Sequence, residues 1–111
     1  MKKPRIYIAG KITGRAISDA ALEFKRAAEV FKGAGYEVVN PMELPHDHDK
    51  SWNSYMKECI AALVTCDEIA MIEGFENSRG AQLELTIALA LNLEVYFQTD
   101  GLWNYSIFHN K

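Results

Sequence analysis

Residues 74–90, which read GFENSRGAQLELTIALA, decide the fold and carry its most unusual charge. A turn-rich loop leads into a helix, and Ser78 is a suitable N-cap because its hydroxyl can accept a bond from a backbone N–H at the helix start. One carboxylate, Glu84, lies inside an otherwise apolar run of leucine, isoleucine and alanine. A charge in such a run costs free energy unless it is paired or used. The stretch therefore predicts either a capped helix whose Glu84 pairs with a cation such as Arg79, or a functional carboxylate.

The spacing of Ser78, Gly80 and Glu84 is typical of a ligand site at a helix start. Gly80 and Glu84 are four residues apart, so they lie on one helical face. Gly80 has no side chain, which leaves room for a ligand above Glu84. The first backbone N–H groups of the helix, together with the Ser78 hydroxyl, suit a phosphate or a sugar hydroxyl. The pattern indicates a nucleophile or base beneath an anion pocket.

Length and composition restrict the class of protein. The chain has 111 residues, of which 49% are hydrophobic and 24% charged, so residues 1–111 are expected to form one domain with a single core. The formal net charge of −3 gives no basic footprint, and we expect no nucleic-acid polymer as a partner. No apolar run approaches membrane-spanning length, and the first is too short for a signal peptide. Cys59 and Cys66 fall in one helical segment at a spacing unsuited to a disulfide, which indicates reduced thiols in a cytoplasmic protein.

Hydrophobic patterning predicts an alternation of strands and helices. Short, apolar, β-rich runs predict strands at residues 5–9, 36–39, 68–72 and 93–98. The predicted helices begin at Ser18 or Asp19, at Ser51 or Asn53, and at Ser78, and they end near residues 32, 65 and 90. The order β-α-β-α-β-α-β indicates an α/β fold in which helices cover both faces of a parallel sheet, giving a three-layer sandwich.

Two glycine-containing loops follow predicted strands, at residues 10–14 (GKITG) and 74–78. Ligands of parallel α/β sheets bind at the carboxyl ends of the strands, so the two loops are expected to meet at one site. The first loop has neither the spacing of a dinucleotide fingerprint nor the Gly-Lys-Ser/Thr ending of a P-loop. The candidate binding residues of this loop are Gly10, Lys11, Ile12, Thr13 and Gly14.

The second loop region and the helix after it offer further candidates. In residues 40–50 (NPMELPHDHDK), the pair His46-x-His48 with its neighbouring aspartates allows a metal-binding interpretation. No further set of ligands with metal spacing appears, so a flap over the site is favoured, and no metal or cofactor is predicted. Trp52 and Tyr55 share one face of the next helix, where they are either core residues or rings on which a purine or pyrimidine stacks.

Several segments, in their order and spacing, resemble the nucleoside 2-deoxyribosyltransferase-like proteins. These segments are YIAGKITG, VVNP, a W-x-x-Y before a helix, a CD before a strand, and GFENSRGAQLE, and they extend over about residues 5–98. The similarity is to the small bacterial and phage branch of the superfamily, and it extends to the 2′-deoxynucleoside 5′-phosphate N-hydrolases. It implies a flavodoxin-like sheet of four to five strands. The implied reaction breaks the N-glycosidic bond of a deoxynucleoside or its 5′-monophosphate, with transfer to another base or to water.

The resemblance also implies roles for single residues. The family's nucleophile lies in an S-x-G-x-x-x-E segment, which Ser78, Gly80 and Glu84 match completely. Glu84 would attack the anomeric carbon and form a glycosyl-enzyme, as in retaining glycosidases. Tyr7 matches a first-strand tyrosine that orients the carboxylate. The loop at residues 10–14 matches the loop around sugar and base, where Lys11 would meet a phosphate as a point charge.

One catalytic position departs from the family pattern. The family carries an aspartate, the general acid for the departing base, eight residues before the CD-type aspartate, and this chain has Cys59 there with Glu58 beside it. A thiol is a poorer acid than a tuned carboxyl, and Glu58 points about 100° away round the helix. The later aspartate, Asp67, is interpreted as structural. Protonation would then come from Cys59, Glu58, His46 or water.

The departure leaves two alternatives to an active N-glycosidase or transferase. The first is a nucleotide-binding module whose catalysis is impaired because Cys59 replaces the acid. The second is an interaction domain, which would have no affinity for nucleotides.

The tail at residues 99–111 is a candidate for contacts between subunits. Family sites are often completed by residues of a neighbouring subunit, so the resemblance implies a homo-oligomer. Three aromatic residues of the tail, Trp103, Tyr105 and Phe108, are candidates for packing on the body of the protein or on another subunit.

Overall fold

The computed structural model describes residues 2–45 and 51–105, in which five strands alternate with three helices. The strands are β1 (Arg5–Ala9), β2 (Glu37–Val39), β3 (Glu68–Met71), β4 (Glu94–Thr99) and β5 (Leu102–Tyr105). The helices are α1 (Ile17–Gly33), α2 (Trp52–Leu63) and α3 (Arg79–Ala90). Short 3₁₀ turns at Pro41–Glu43 and Phe75–Asn77 follow β2 and β3. No helix within these two ranges has the length and apolar character needed to cross a membrane.

The strands form one sheet in the order β2-β1-β3-β4-β5. The first four are parallel, and their register aligns a row of buried side chains across the sheet, namely Val39, Tyr7, Ile69 and Val95. The fifth strand runs antiparallel to β4. The predicted α/β class is confirmed, and the sheet is mixed at one edge and not parallel throughout.

Helices cover both faces, which confirms the three-layer sandwich. Side chains alternate between the two faces of a strand, so Ile6 and Ile8 of β1 face α1 while Tyr7 and Ala9 face the other helices. The α1 layer contributes Phe24, Ala27 and Phe31 to its core. The opposite core includes Cys59 and Leu63 of α2 with Ala81 and Ala88 of α3.

Two of the predicted helix caps are present. The Ser51 hydroxyl accepts a bond from the backbone N–H of Ser54, and the Ser78 hydroxyl accepts one from Ala81, both at 3.1 Å. The first helix begins at Ile17, before the expected start at Ser18 or Asp19, and it follows an extended Ala16 that makes no side-chain cap. Ser18 and Asp19 therefore lie inside its first turn and do not cap it.

The strand β5 lies where the sequence indicated only a tail. Asp100 and Gly101 both have positive φ, at 52° and 78°, which is the geometry of a two-residue turn between antiparallel strands. The turn folds β5 back onto β4 and places the Trp103 ring 5.1 Å from that of Phe31 in α1. This part of the tail thus packs on its own chain. Phe108 lies outside the described residues, and assembly into an oligomer stays a prediction.

Gly10 permits a close approach at the end of β1. A Cβ atom there would lie 3.0 Å from the Cβ of Ile72 and 3.2 Å from the ring of Phe24. Both neighbours belong to the buried core, so they have little freedom to move away. The glycine is needed for packing where the chain leaves the sheet.

Candidate active site

A cavity of about 520 Å³ opens where the parallel strands end. Gly10, directly after β1, Pro41, after β2, and Ser78, in the connection that follows β3, all line it. The predicted position at the carboxyl edge of the sheet is therefore the position of the cavity. Its wall includes these residues singled out from the sequence: Tyr7, Gly10, Ile12, Thr13, Trp52, Tyr55, Ser78, Gly80 and Glu84.

Four other candidates do not line the cavity: Lys11, Gly14, Cys59 and Glu58. Gly14 has a φ of 83° and lies in a turn, which explains its glycine without a ligand. The backbone carbonyl of Lys11 accepts a bond from the Arg15 guanidinium at 3.2 Å. These two residues shape the loop after β1.

Glu84 is held by Tyr7 at the base of the cavity. The Tyr7 hydroxyl donates to Oε2 of Glu84 across 2.6 Å, and the two residues are 77 positions apart in the chain. Only 5% of Glu84 is exposed. Burial raises the pKa of its carboxyl to about 7, although the bond from Tyr7 acts in the opposite direction. Both protonation states of Glu84 are therefore populated near neutral pH.

The alternative in which Glu84 pairs with Arg79 is wrong. Five positions separate the two residues, so they point about 140° apart round the helix. The Arg79 guanidinium instead lies 3.9 Å from the centre of the Trp52 ring, in a cation–π contact. The ion pairs within residues 2–45 and 51–105 join Arg5 to Glu37 and Arg15 to Glu23, and Glu84 takes part in neither.

Cys59 lies behind the cavity wall and is only 1% exposed. It shares a core cluster with Tyr7, and Tyr55 packs against that cluster. Burial raises the pKa of the thiol to about 11, and the hydroxyls of Tyr7 and Tyr55 lower it less than burial raises it. Cys59 thus keeps its proton at neutral pH and is a weak acid.

Gly80 lines the cavity together with Glu84, and the structure adds a packing role to the one inferred above. A Cβ atom at this position would lie 3.0 Å from Sδ of Met56 and 3.9 Å from Nε1 of Trp52. Gly80 therefore lets α2 approach α3 closely, and that approach brings Trp52 to the cavity.

The sequence did not single out several lining residues, among them Pro41 and Met56. Met56 is four positions after Trp52, so the shared helical face is a signal that could have placed it beside the site. Pro41 directly follows Asn40 at the end of β2, and the rule for the carboxyl ends of strands would have placed it there.

Asp67 has a structural role, since its carboxylate accepts a bond from the backbone N–H of Arg5 at 2.9 Å. In the part of the chain that the model describes, no group of three or more His, Cys, Asp or Glu is arranged to hold a metal ion. The His46-x-His48 motif, with its candidate donor His46, lies outside the described residues.

Replacement of Tyr7 by phenylalanine is expected to raise the pKa of Glu84 by about one to two units, because the bond that favours the charged carboxylate is lost. The measurement is an NMR titration of the Glu84 carboxyl carbon in the wild type and in Tyr7→Phe. Tyr36→Phe is the matched control, since the Tyr36 hydroxyl contacts Tyr96 at 3.2 Å on the other face of the sheet. An unchanged Glu84 midpoint in Tyr7→Phe would contradict the role given to this bond.

Comparisons with known proteins agree with the fold. The model of a family described as a domain of unknown function (DUF4406) matches residues 4–97. A comparison with curated protein sequences finds no match. The structure is similar to that of the 2-deoxyribosyltransferase from the psychrotolerant bacterium Bacillus psychrosaccharolyticus, with a TM-score of 0.67 and 20% identity. The match covers 90% of this chain and 77% of that one. The chain therefore has a 2-deoxyribosyltransferase-like fold, as the sequence resemblance implied.

Proposed function

This chain belongs to the DUF4406 family, and we propose that it breaks the N-glycosidic bond of a deoxynucleoside or its 5′-monophosphate through a glycosyl ester on Glu84. The observation that carries the proposal is the buried carboxyl of Glu84, held by Tyr7 at the wall of a cavity. The similar protein, a 2-deoxyribosyltransferase, is described as a biocatalyst for the synthesis of nucleosides, which supports the same class of bond.

In the first step, an oxygen of the Glu84 carboxylate bonds to the anomeric carbon, and the electron pair of the breaking carbon–nitrogen bond leaves with the base. In the second step, water or another base attacks the same carbon and releases Glu84. Tyr7 holds the carboxylate in place through its 2.6 Å bond, so the attacking atom is positioned before the substrate arrives.

The remaining lining residues suit the two ends of a nucleoside. Trp52 offers a flat ring for the base, and the cation–π contact with Arg79 holds its indole in one orientation. The Ser78 hydroxyl accepts from the helix backbone and can also donate its own hydrogen to a sugar hydroxyl or phosphate.

Chromatography of a panel of nucleosides, deoxynucleosides and their 5′-monophosphates after incubation with the protein tests the proposal. Each reaction is run with and without an added free base. We expect release of free base from at least one deoxy substrate, and a new nucleoside that forms only with the added base identifies a transferase. Release from none of the substrates would contradict the proposed function.

The position of Cys59 favours a second candidate, a nucleotide-binding module with impaired catalysis. Among the described lining residues Glu84 is the only carboxyl, so a general acid of the family's type is absent from that part of the wall. A module of this kind would bind the same substrates without releasing base.

Replacement of Cys59 by aspartate distinguishes the two candidates. A carboxyl buried beside Glu84 would stay protonated near neutral pH and would be a stronger acid than the thiol, so an enzyme is expected to gain about tenfold or more in turnover. Cys66→Asp is the matched control, because Cys66 is also buried and lies outside the cavity. A folded Cys59→Asp variant that binds a nucleotide, as titration calorimetry would measure, but releases no base would favour the module.

A further inference from the structure

The proposed reaction requires a group that stabilises the departing base, and Glu84, as the nucleophile, does not supply it. When the carbon–nitrogen bond breaks, its electron pair collects on the departing base, and a hydrogen-bond donor that faces the base lowers the barrier. The need for such a donor rests on the proposed function.

Several groups near the cavity are unsuited to this role. The Tyr7 hydroxyl already donates to Glu84 at 2.6 Å, on the side of the attacking atom. Ser78 lies at the start of α3, and the proposed function already assigns the hydrogen of its hydroxyl to a sugar hydroxyl or phosphate. Cys59 and Glu58 do not line the cavity.

Tyr55 has the required position. It lines the cavity from α2, one turn after Trp52, and the same helical face therefore presents an indole and a phenol to the ligand. Cys59 follows Tyr55 by one helical turn on α2, in the core cluster against which Tyr55 packs. Burial, with Cys59 and Glu84, raises the pKa of Tyr55 above its ordinary range, so the phenol keeps its hydrogen.

We propose that the Tyr55 hydroxyl donates a hydrogen bond to the departing base, and that Cys59, buried in the core against which Tyr55 packs, holds this side chain in place. Tyr55 is then a catalytic residue and Cys59 a positioning residue. The cysteine occupies the position of the family's acid, but it acts through a neighbour that reaches the cavity.

The step is balanced without any transfer of the Tyr55 hydrogen. The carboxylate oxygen of Glu84 bonds to the anomeric carbon, the carbon–nitrogen bond breaks, and its electron pair and the negative charge move to the base. The base then takes a proton from water. The hydroxide that remains, or another base, attacks the ester and regenerates the carboxylate.

The test uses two substrates whose bases leave with different charges. The base of 2′-deoxyguanosine leaves with a negative charge, whereas that of 7-methyl-2′-deoxyguanosine is already cationic and leaves neutral. Tyr55→Phe keeps the ring and removes only the hydroxyl. We expect turnover of 2′-deoxyguanosine to fall about 100-fold and that of the methylated substrate to fall less than about threefold.

Equal losses with both substrates, or a loss with neither, would overturn the inference. Tyr105→Phe is the matched control, because Tyr105 is exposed on β5 and is expected to show wild-type rates with both. If the wild type releases base from no member of the substrate panel described above, the proposed function fails and the inference fails with it, whereas equal losses in an active enzyme overturn the inference alone.

A second measurement needs no variant, so it holds even if Tyr55→Phe does not fold. In the wild type, turnover across deoxynucleosides whose bases differ in acidity should depend weakly on that acidity, because a donor offsets the charge on the base. A dependence as steep as that of the uncatalysed reaction would overturn the inference.

Discussion

Glu84→Gln is expected to reduce turnover of every substrate by about 10⁴-fold or more, because an amide oxygen does not form the glycosyl ester. The substitution preserves the size of the side chain and its capacity to accept the 2.6 Å bond from Tyr7. A loss of activity therefore reports the missing carboxylate and not a rearranged cavity. Base release measured by chromatography, at saturating substrate, gives the comparison.

The matched control for this variant is Glu76→Gln. Glu76 lies on the exposed 3₁₀ turn that follows β3, close to the site in sequence but absent from the cavity wall. Its replacement is expected to leave turnover within about twofold of the wild type. Retention of more than about a hundredth of the activity by Glu84→Gln would show that another group is the nucleophile.

The second large effect concerns stability. Burial raises the pKa of Glu84 from 4.5 to about 7 on folding, so the folded protein binds a proton more tightly than the unfolded chain does. This tighter proton binding contributes to the free energy of unfolding. The contribution is fully present below pH 4.5 and is lost as the pH rises to about 7. Relative to Glu84→Gln, whose side chain does not titrate, the wild type is expected to lose about 3 kcal/mol of unfolding free energy across this window.

Urea unfolding of both proteins at pH 4 and at pH 8 measures this difference. Other groups titrate in the same range, among them Glu68, whose pKa is raised by burial, but they are common to both proteins and cancel. The unfolding free energy of the wild type, minus that of the variant, should be lower at pH 8 than at pH 4 by about 3 kcal/mol. A difference between the two proteins that does not change with pH would contradict the burial of an ionisable Glu84.

Local patterns in the sequence predicted local structure well. The caps at Ser51 and Ser78 depend on side chains that bond to N–H groups three residues away, and such signals are contained in a few neighbouring residues. The positions of both ligand loops followed from the rule that parallel strands end at one edge of the sheet. The same approach would have found β5, because Asp100-Gly101 is a two-residue hairpin turn.

Contacts between distant residues were not accessible to pattern reasoning alone. The pairing of Tyr7 with Glu84 joins residues 77 positions apart, and it entered only through the family resemblance. Ligand access was the role predicted for Gly80, and only the packing of the helices shows that this glycine also accommodates Met56 of α2. The spacing along the chain placed Cys59 at the family's acid position, yet only the packing of α2 shows that this residue is buried and does not line the cavity.

The most direct test of the account is the mass of the protein after reaction with a deoxynucleoside and a rapid acid quench. We predict an increase of one deoxyribosyl group, located in a peptide that contains Glu84 and absent from Glu84→Gln. Release of base without any adduct on Glu84, or with an adduct on another residue, would contradict the assignment of Glu84 as the nucleophile.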